Sequence, residues 1–333
     1  MLPPTYRKVV AARFSTRFRE AAAIVEVPLE LPGAGDILVR NRCAGVNATD
    51  VNISAGRYTP GAQPPIDLGA EAVGEVVAVG DGVSNLQPGD AVLTNSLGGG
   101  YREYYTVRAG RAVRVPAASP EILALAISGV TASIGLTVTG EVKGGETVLV
   151  TAAAGGTGQF AVQLAKAAGC HVIGTCGGAD KADLLRSLGC DRVVNYQVED
   201  LDAVLRAEYP RGVDVVYESV GRQMFDTALD HLAVRGRLVI IGYITEYLDA
   251  PEAVTAPRIY HQLLSKSASV RSMFLPHFYK QVPEHLTALI EKMQAGALHV
   301  AIDPASFHGV DAVVDAVEHL HSGRSRGKVV VRF

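Results

Sequence analysis

Hydrophobic and polar residues alternate in two different rhythms along the chain. As far as Pro120, short runs rich in Val, Ile, Tyr and Thr are separated by Pro and Gly: YRKVVAARF, DILVRNRCAGVN, GEVVAVG, DAVLTN, REYYTV and RAVRVP. β-Branched and aromatic residues bounded by turn formers read as strands, so this part is expected to be a compact, mostly β domain. Beyond Pro120 apolar runs alternate with helical spacing. The strand ETVLVTAA precedes the helix GQFAVQLAKAAG, and HVIGTC, ADKADLLRSLG, DRVVNY, DLDAVLRAEY, VDVVYESV, MFDTALDHLA and RLVIIGY continue the pattern. A strand after each helix implies right-handed crossovers and a parallel sheet covered on both faces, hence an α/β fold. SASVRSMFL would be its last strand. The rest, with PEHLTALIEKMQAG, GVDAVVDAVEHLHSG and KVVVRF, is expected to return to the first domain. The boundaries predicted are 1–125 with 277–333 for the β domain and 126–276 for the parallel-sheet domain.

Length agrees, since 333 residues exceed one ordinary core. With 48% hydrophobic and 20% charged residues the chain has the composition of a globular enzyme. A net charge of -3 with scattered Lys and Arg supplies no phosphate-attracting stripe, so nucleic acid is not an expected partner. The four cysteines form no C-x-x-C pair, which suits a reducing, cytoplasmic compartment. From Ile122 to Gly140 no residue is charged, but Gly, Ser and Thr dilute the run. It reads as buried helices at a domain junction rather than a membrane span.

Between the first strand and first helix of the alternating region lies AAAGGTGQFA. No Lys-Ser or Lys-Thr follows its last glycine at P-loop spacing, whereas GTGQFA from Gly156 fits the dinucleotide pattern G-x-G-x-x-A. A tight turn, close backbone approach and a helix N-terminus would let Gly155, Gly156, Thr157 and Gly158 cradle a pyrophosphate. NAD sites usually carry an acid at the end of the second strand for the ribose hydroxyls. Here that end is Thr175, Cys176, Gly177 and Gly178, with Lys181 following, so NADPH is preferred over NADH. Asp180 reads as the N-cap of the next helix.

RCAGVNATD, DLGAEAVGEVVAVG, PGDAV, AAAGGTGQFAVQLAKAAG and GKVVV, in that order, resemble the medium-chain dehydrogenase/reductase superfamily over nearly the whole chain. The resemblance implies a GroES-like, mostly β catalytic domain and a Rossmann doubly wound domain. Zinc-dependent members carry Cys where this chain has Asn47 and His where it has Ala70. Those losses leave Glu71 without co-ligands, so no metal is expected and the likeness is to the zinc-free, quinone oxidoreductase-like branch.

Oxidising an unactivated alcohol needs a stabilised alkoxide, which zinc supplies. Adding a hydride to an enone or quinone puts charge on a conjugated oxygen that one or two hydrogen-bond donors stabilise. The resemblance thus implies NADPH-dependent reduction of α,β-unsaturated ketones, such as 15-keto-prostaglandin-like lipids. The alternatives are quinone reduction and an NADPH-binding structural protein with little turnover. It places Asn47, Tyr58 and Tyr247 at the reacting centre, although a turn residue, a surface aromatic and a lid packing residue are the plainer readings of the three. It sets Ser219, Gly221, Ile241, Gly242, Tyr243, Met273, Phe274 and Leu275 along the cofactor, Thr131 near it, and Lys181 with Tyr196 at the 2'-phosphate. It also implies a homodimer formed through SASVRSMFL.

Overall fold

The strand-rich start of the chain folds as expected. The computed structural model describes residues 2–249, 253–254 and 257–333. Asp36–Gly45, Glu71–Val79, Ala91–Asn95 and Ala112–Arg114 pair antiparallel in that order. Tyr104–Arg108 also pairs with Asp36–Gly45. Inward-pointing Ile37, Val39, Val76, Val92 and Val107 form its apolar core. The last strand, Val330–Arg332, returns to pair with Asp36–Gly45, with Val330 opposite Gly45. This pairing brings the Lys that precedes the closing Val run beside the segment leading to Asn47.

The alternating region forms a six-stranded, wholly parallel sheet. Across it run Arg192–Asn195, His171–Cys176, Thr147–Val150, Val213–Glu218, Leu232–Ile240 and Ser269–Ser272. In chain order this is 3-2-1-4-5-6, the doubly wound arrangement whose order reverses at the first strand. Its strands are continuous apolar runs because both faces are covered; Val148, Leu149, Val150, Val215 and Val216 are fully buried. Ser269–Ser272 stands at one edge.

The chain divides into two compact units, Met1–Ile127 with Ile302–Phe333, and Ser128–Ala301. The return to the first unit comes later than the 277 predicted, for reasons visible in the second unit. Ser133 Oγ lies 2.7 Å from His285 Nδ1, tying the helix Val282–Gln294 to Val130–Ile134. The buried amide of Gln159 bonds both backbone groups of Ala301, at 2.9 and 2.6 Å. Gln163 holds His299 in the same way. The amphipathic pattern of 282–294 marks a helix but not the surface that receives it.

The uncharged stretch is a helical run, Pro120–Thr139, long and apolar enough to cross a membrane but 72% buried within the protein. Ser119 caps its start, accepting from Ile122 N at 3.3 Å.

Candidate active site

The glycine loop sits between Thr147–Val150 and the helix Gly158–Ala167, at the carboxyl end of the first strand. Ala153 N donates to Thr175 O at 3.0 Å, which ties the loop to the end of the second strand. Sequence spacing alone assigns all three glycines to approach of the ligand. For Gly158 the structure gives an internal reason: a Cβ there would lie 2.4 Å from Ala152 O and 2.7 Å from Ala153 Cα. Gly155 is less confined, with one such contact at 3.2 Å. Gln159 N donates to Gly155 O at 3.2 Å and Phe160 N to Thr157 O at 3.1 Å, and a helix N-terminus with its positive dipole end suits a phosphate.

At the second strand end, Gly177 packs under Tyr196, whose hydroxyl would lie 2.6 Å from a Cβ on Gly177. Asn195 Oδ1 accepts from Gly178 N at 3.0 Å and holds the turn. Lys181 is near enough to Cys176 to pull its thiol down, although burial pushes the thiol up more strongly. Thr175 Oγ1 is buried here without a hydrogen-bond partner among the described residues. Glycines that keep the backbone bare, an unspent hydroxyl and a lysine in place of an acid fit a phosphorylated dinucleotide. One expectation fails. Gly178, at φ +104°, is the N-cap, and Asp180 lies exposed in the first turn without capping it. Only glycine reaches that backbone conformation without strain, so it takes the cap position.

Most of the other residues expected along the cofactor lie at the carboxyl ends of the fourth, fifth and sixth strands, where open α/β sheets bind ligands. Ile244 N donates to Ser219 O, Thr245 N to Val220 O, and Met273 N to Ile240 O, so the loops containing Ser219–Gly221 and Ile241–Tyr247 are joined. Tyr247 is buried beneath them; its Oη accepts from Tyr243 N at 3.4 Å, and its ring meets that of Tyr243 edge-on. A Cβ on Gly242 would lie 2.9 Å from Tyr247 Oη. Phe274 is exposed, and Leu275 opens a short 3-10 turn. Thr131 lies one helical turn before Gly135, where a Cβ would touch Ile241 Cδ1 at 3.0 Å.

Sequence reasoning missed the group that organises this end. Glu218 is fully buried, and its Oε1 accepts from Val220 N at 2.8 Å, Gly221 N at 3.1 Å and Thr151 Oγ1 at 3.3 Å. Burial pushes its carboxyl above the usual range, opposed by these bonds. Thr151 Oγ1 in turn accepts from Ser219 N at 2.8 Å. An acid closing the apolar run VDVVYE was the available signal.

The first unit carries Asn47 and Tyr58. Asn47 Oδ1 accepts from Lys328 Nζ at 2.8 Å, while its Nδ2 donates to Glu71 Oε1 at 2.9 Å and Gly45 O at 3.3 Å. Both amide hydrogens are therefore given to protein acceptors. These bonds tie Asn47 into a buried cluster with Glu71 and Lys328. Lys328 also bonds Glu71 Oε1 at 2.6 Å, with both side chains buried. Glu71 Oε2 accepts from Ile127 N at 3.1 Å.

The donor set does not fit zinc. Asn47 and Ala70 offer neither thiolate nor imidazole, and the remaining carboxylate, Glu71, is matched by the Lys328 ammonium. Among the described residues no group of three or more His, Cys, Asp and Glu side chains is placed to hold a metal ion. Lys328, too, was missed; its signal was a lone cation before three valines.

Beside this cluster Asp50 is buried, accepting from Tyr101 Oη at 2.5 Å and Asn47 N at 2.8 Å. Burial pushes its carboxyl up to about 7, against the pull of those bonds. The unfolded chain releases this proton near about pH 4. The folded state therefore holds more protons between the two values, and stability from this group is full below about pH 4 and lost as pH rises through about 7. The urea midpoint of the ligand-free protein is expected to fall between about pH 5 and about pH 8, and Asp50→Asn to flatten that fall. An unchanged slope in the variant would assign the dependence to other groups.

Two family descriptions match: alcohol dehydrogenase GroES-like domain over residues 33–117, and zinc-binding dehydrogenase over residues 156–295. The chain is 46% identical over 342 residues to prostaglandin reductase-3 of Mus musculus, covering 100% of this chain and 90% of that protein. It is 43% identical over 339 residues to a probable quinone oxidoreductase of Leishmania amazonensis, covering 99% of each. Among solved structures, Escherichia coli quinone oxidoreductase complexed with NADPH superposes with a TM-score of 0.83 at 30% identity, covering 98% of this chain and 100% of that one. The chain belongs to the medium-chain dehydrogenase/reductase family and is an oxidoreductase.

Proposed function

We propose that this protein uses NADPH to reduce the carbon–carbon double bond of α,β-unsaturated ketones, 15-keto-prostaglandin-like or other lipid enones, without zinc. The observation that carries the reading is the buried Lys328–Glu71–Asn47 cluster, which fills with protein charge the place where family resemblance would put a metal. Likeness to prostaglandin reductase-3 supports the substrate class, and likeness to an NADPH-bound oxidoreductase supports the cofactor.

NADPH, when bound, supplies the hydride that enters at the β-carbon. The chain's residues hold and polarise. Gly155, Gly156, Thr157 and Gly158 receive the pyrophosphate, Lys181 and Tyr196 the 2'-phosphate, and the joined loops Ser219–Gly221 and Ile241–Tyr243, with Met273, the remainder. Tyr247 stabilises the enolate oxygen, a hydrogen bond of this kind being worth about 3 kcal/mol. Asn47 keeps the segment before Tyr58 in place.

NADPH consumption with a long-chain enone, with the product identified by mass, tests the reading. Saturated ketone is the expected product. A specificity constant about a hundredfold higher for a quinone would transfer the assignment to quinone reduction, the reading favoured by likeness to the Leishmania protein. Lys181→Ala is expected to raise the KM for NADPH tenfold or more, as loss of a charge-assisted bond of about 1.5–3 kcal/mol requires, while the KM for NADH moves less than about twofold. Equal effects on both cofactors would remove Lys181 from the 2'-phosphate.

We also propose a homodimer, with Ser269–Ser272 at the sheet edge continuing into its mate. Light scattering at micromolar concentration is expected to give twice the mass of 35.0 kDa. A monomer mass would refute it.

A further inference from the structure

The parallel sheet is concave at its other end as well. At the amino ends of Val213–Glu218 and Leu232–Ile240, away from the glycine loop, lies a cleft of about 340 Å³, a size that holds small molecules. Irregular pairing opens it. Val213 stands opposite Leu232 and Val215 opposite Arg237, so the fifth strand carries surplus residues there and bulges. Val234 and Arg235 on the bulge are exposed. Gly212, at φ +80°, closes the floor, since a Cβ on it would lie 2.7 Å from both Ala233 N and His231 O. Only glycine fits, so the floor is backbone packed on backbone.

The walls are part apolar and part cationic. Tyr209, Pro210, Leu232 and Val234 form the apolar part, and the Tyr209 hydroxyl, 2.8 Å from His171 Nε2, fixes its ring. Arg206, Arg211 and Lys266 bring three cations against one lining carboxylate, Asp230. The nearby acids are spent on protein donors. Asp230 Oδ1 accepts from Gln262 Nε2, while Asp202 accepts from His231 Nε2 at 2.7 Å through one oxygen and from Arg206 Nη2 at 2.6 Å through the other.

Cations near helix carboxyl ends offset the helix dipole, which accounts for two of the three. Arg206 is in the last turn of Leu201–Glu208, and Lys266 Nζ donates to Asp230 O at 2.6 Å, at the end of Arg222–Asp230. Arg211 has no such account. It lies outside every helix and makes no hydrogen bond or ion pair among the described residues, in a chain whose net charge is -3. Its five donors face no protein acceptor.

We propose that this cleft is a second ligand site, for a small organic anion that carries a phosphate monoester or a carboxylate on an apolar body. The guanidinium forks of Arg206 and Arg211 take the oxygens, the Lys266 ammonium adds a point charge, and the apolar wall takes the body.

Titration of the full chain with phenyl phosphate and with benzoate, followed through the backbone amide resonances of Gly212 and Ala233, tests the site. At least one of the two is expected to move both resonances and to saturate below about 10 mM, and the tighter one identifies the headgroup. Saturation by neither would overturn the proposal. Benzyl alcohol, which keeps the ring and lacks the charge, is expected to leave the resonances in place; saturation by it in the same range would make the cleft an apolar one only. Saturating NADPH is expected to leave the anion's affinity unchanged, whereas displacement by NADPH would put the anion at the glycine loop and refute the second site. Arg211 is exposed, so its replacement leaves the fold intact. Arg211→Gln is expected to raise Kd at least about tenfold, the factor for one charge-assisted bond. Arg235→Gln removes an exposed charge from the bulge, outside the cleft lining, and is expected to change Kd less than about twofold. Equal losses in the two variants would reduce the effect to general attraction by the surface and overturn the assignment.

Discussion

Lys328→Met is expected to destabilise the fold by about 3–5 kcal/mol, because it leaves a carboxylate buried without its counter-ion. Glu71 is fully buried, and the Lys328 ammonium lies 2.6 Å from its Oε1. Neither charge reaches water. Removing one partner forfeits the attraction and leaves the other's desolvation uncompensated, whereas removing both leaves no buried charge. Lys328→Met with Glu71→Gln is therefore expected to regain at least about half of the loss. Glu71→Gln retains a carbonyl acceptor for Asn47 Nδ2, which bonds the Glu71 carboxylate in the wild type. Urea unfolding of the wild type, both single variants and the double variant at one pH measures the coupling directly. Additive losses would mean that the two charges act independently, and the account of this cluster as a built-in ion pair would fail.

That cluster also marks how far the sequence was legible. The parallel sheet followed from alternating apolar runs, and the strand–turn–helix at 147–167 from three glycines between a strand and a helix. Both signals are local: period, turn chemistry and spacing lie within a few residues. Lys328 and Glu71 lie 257 positions apart and meet only because Val330–Arg332 pairs with Asp36–Gly45. No local pattern carries that information. Asn47 shows the same limit, since its partners Glu71 and Lys328 come from distant parts of the chain. Glu218 and the late return at Ile302 were hidden for a related reason. One depends on which backbone amides a loop turns inward, and the other on which surface a helix covers.

Gly158→Ala is expected to weaken NADPH binding about ten- to a hundredfold, the equivalent of about 1–3 kcal/mol of overpacking. The added methyl acts in two opposing directions. Alanine favours a helix over glycine by about 1 kcal/mol, and Gly158 is the first residue of its helix. Against this, the new Cβ would sit 2.4 Å from Ala152 O and 2.7 Å from Ala153 O. Both obstacles are backbone, in a loop where Ala152 already holds a left-handed φ of +47°, so no side-chain rotation relieves them. The collision is expected to win by moving the loop and the first helical turn together, which misdirects the amides proposed to receive the phosphates. Gly155→Ala is the matched control. Its single contact, at 3.2 Å from Ala152 O, asks for a shift of a few tenths of an ångström, and binding is expected to change less than about threefold. Titration of NADPH into both variants, with unfolding midpoints measured alongside, separates a displaced loop from a destabilised protein. Full affinity in a folded Gly158→Ala would mean that the phosphates do not bind at this helix terminus, and the nucleotide assignment would have to rest on another part of the sheet.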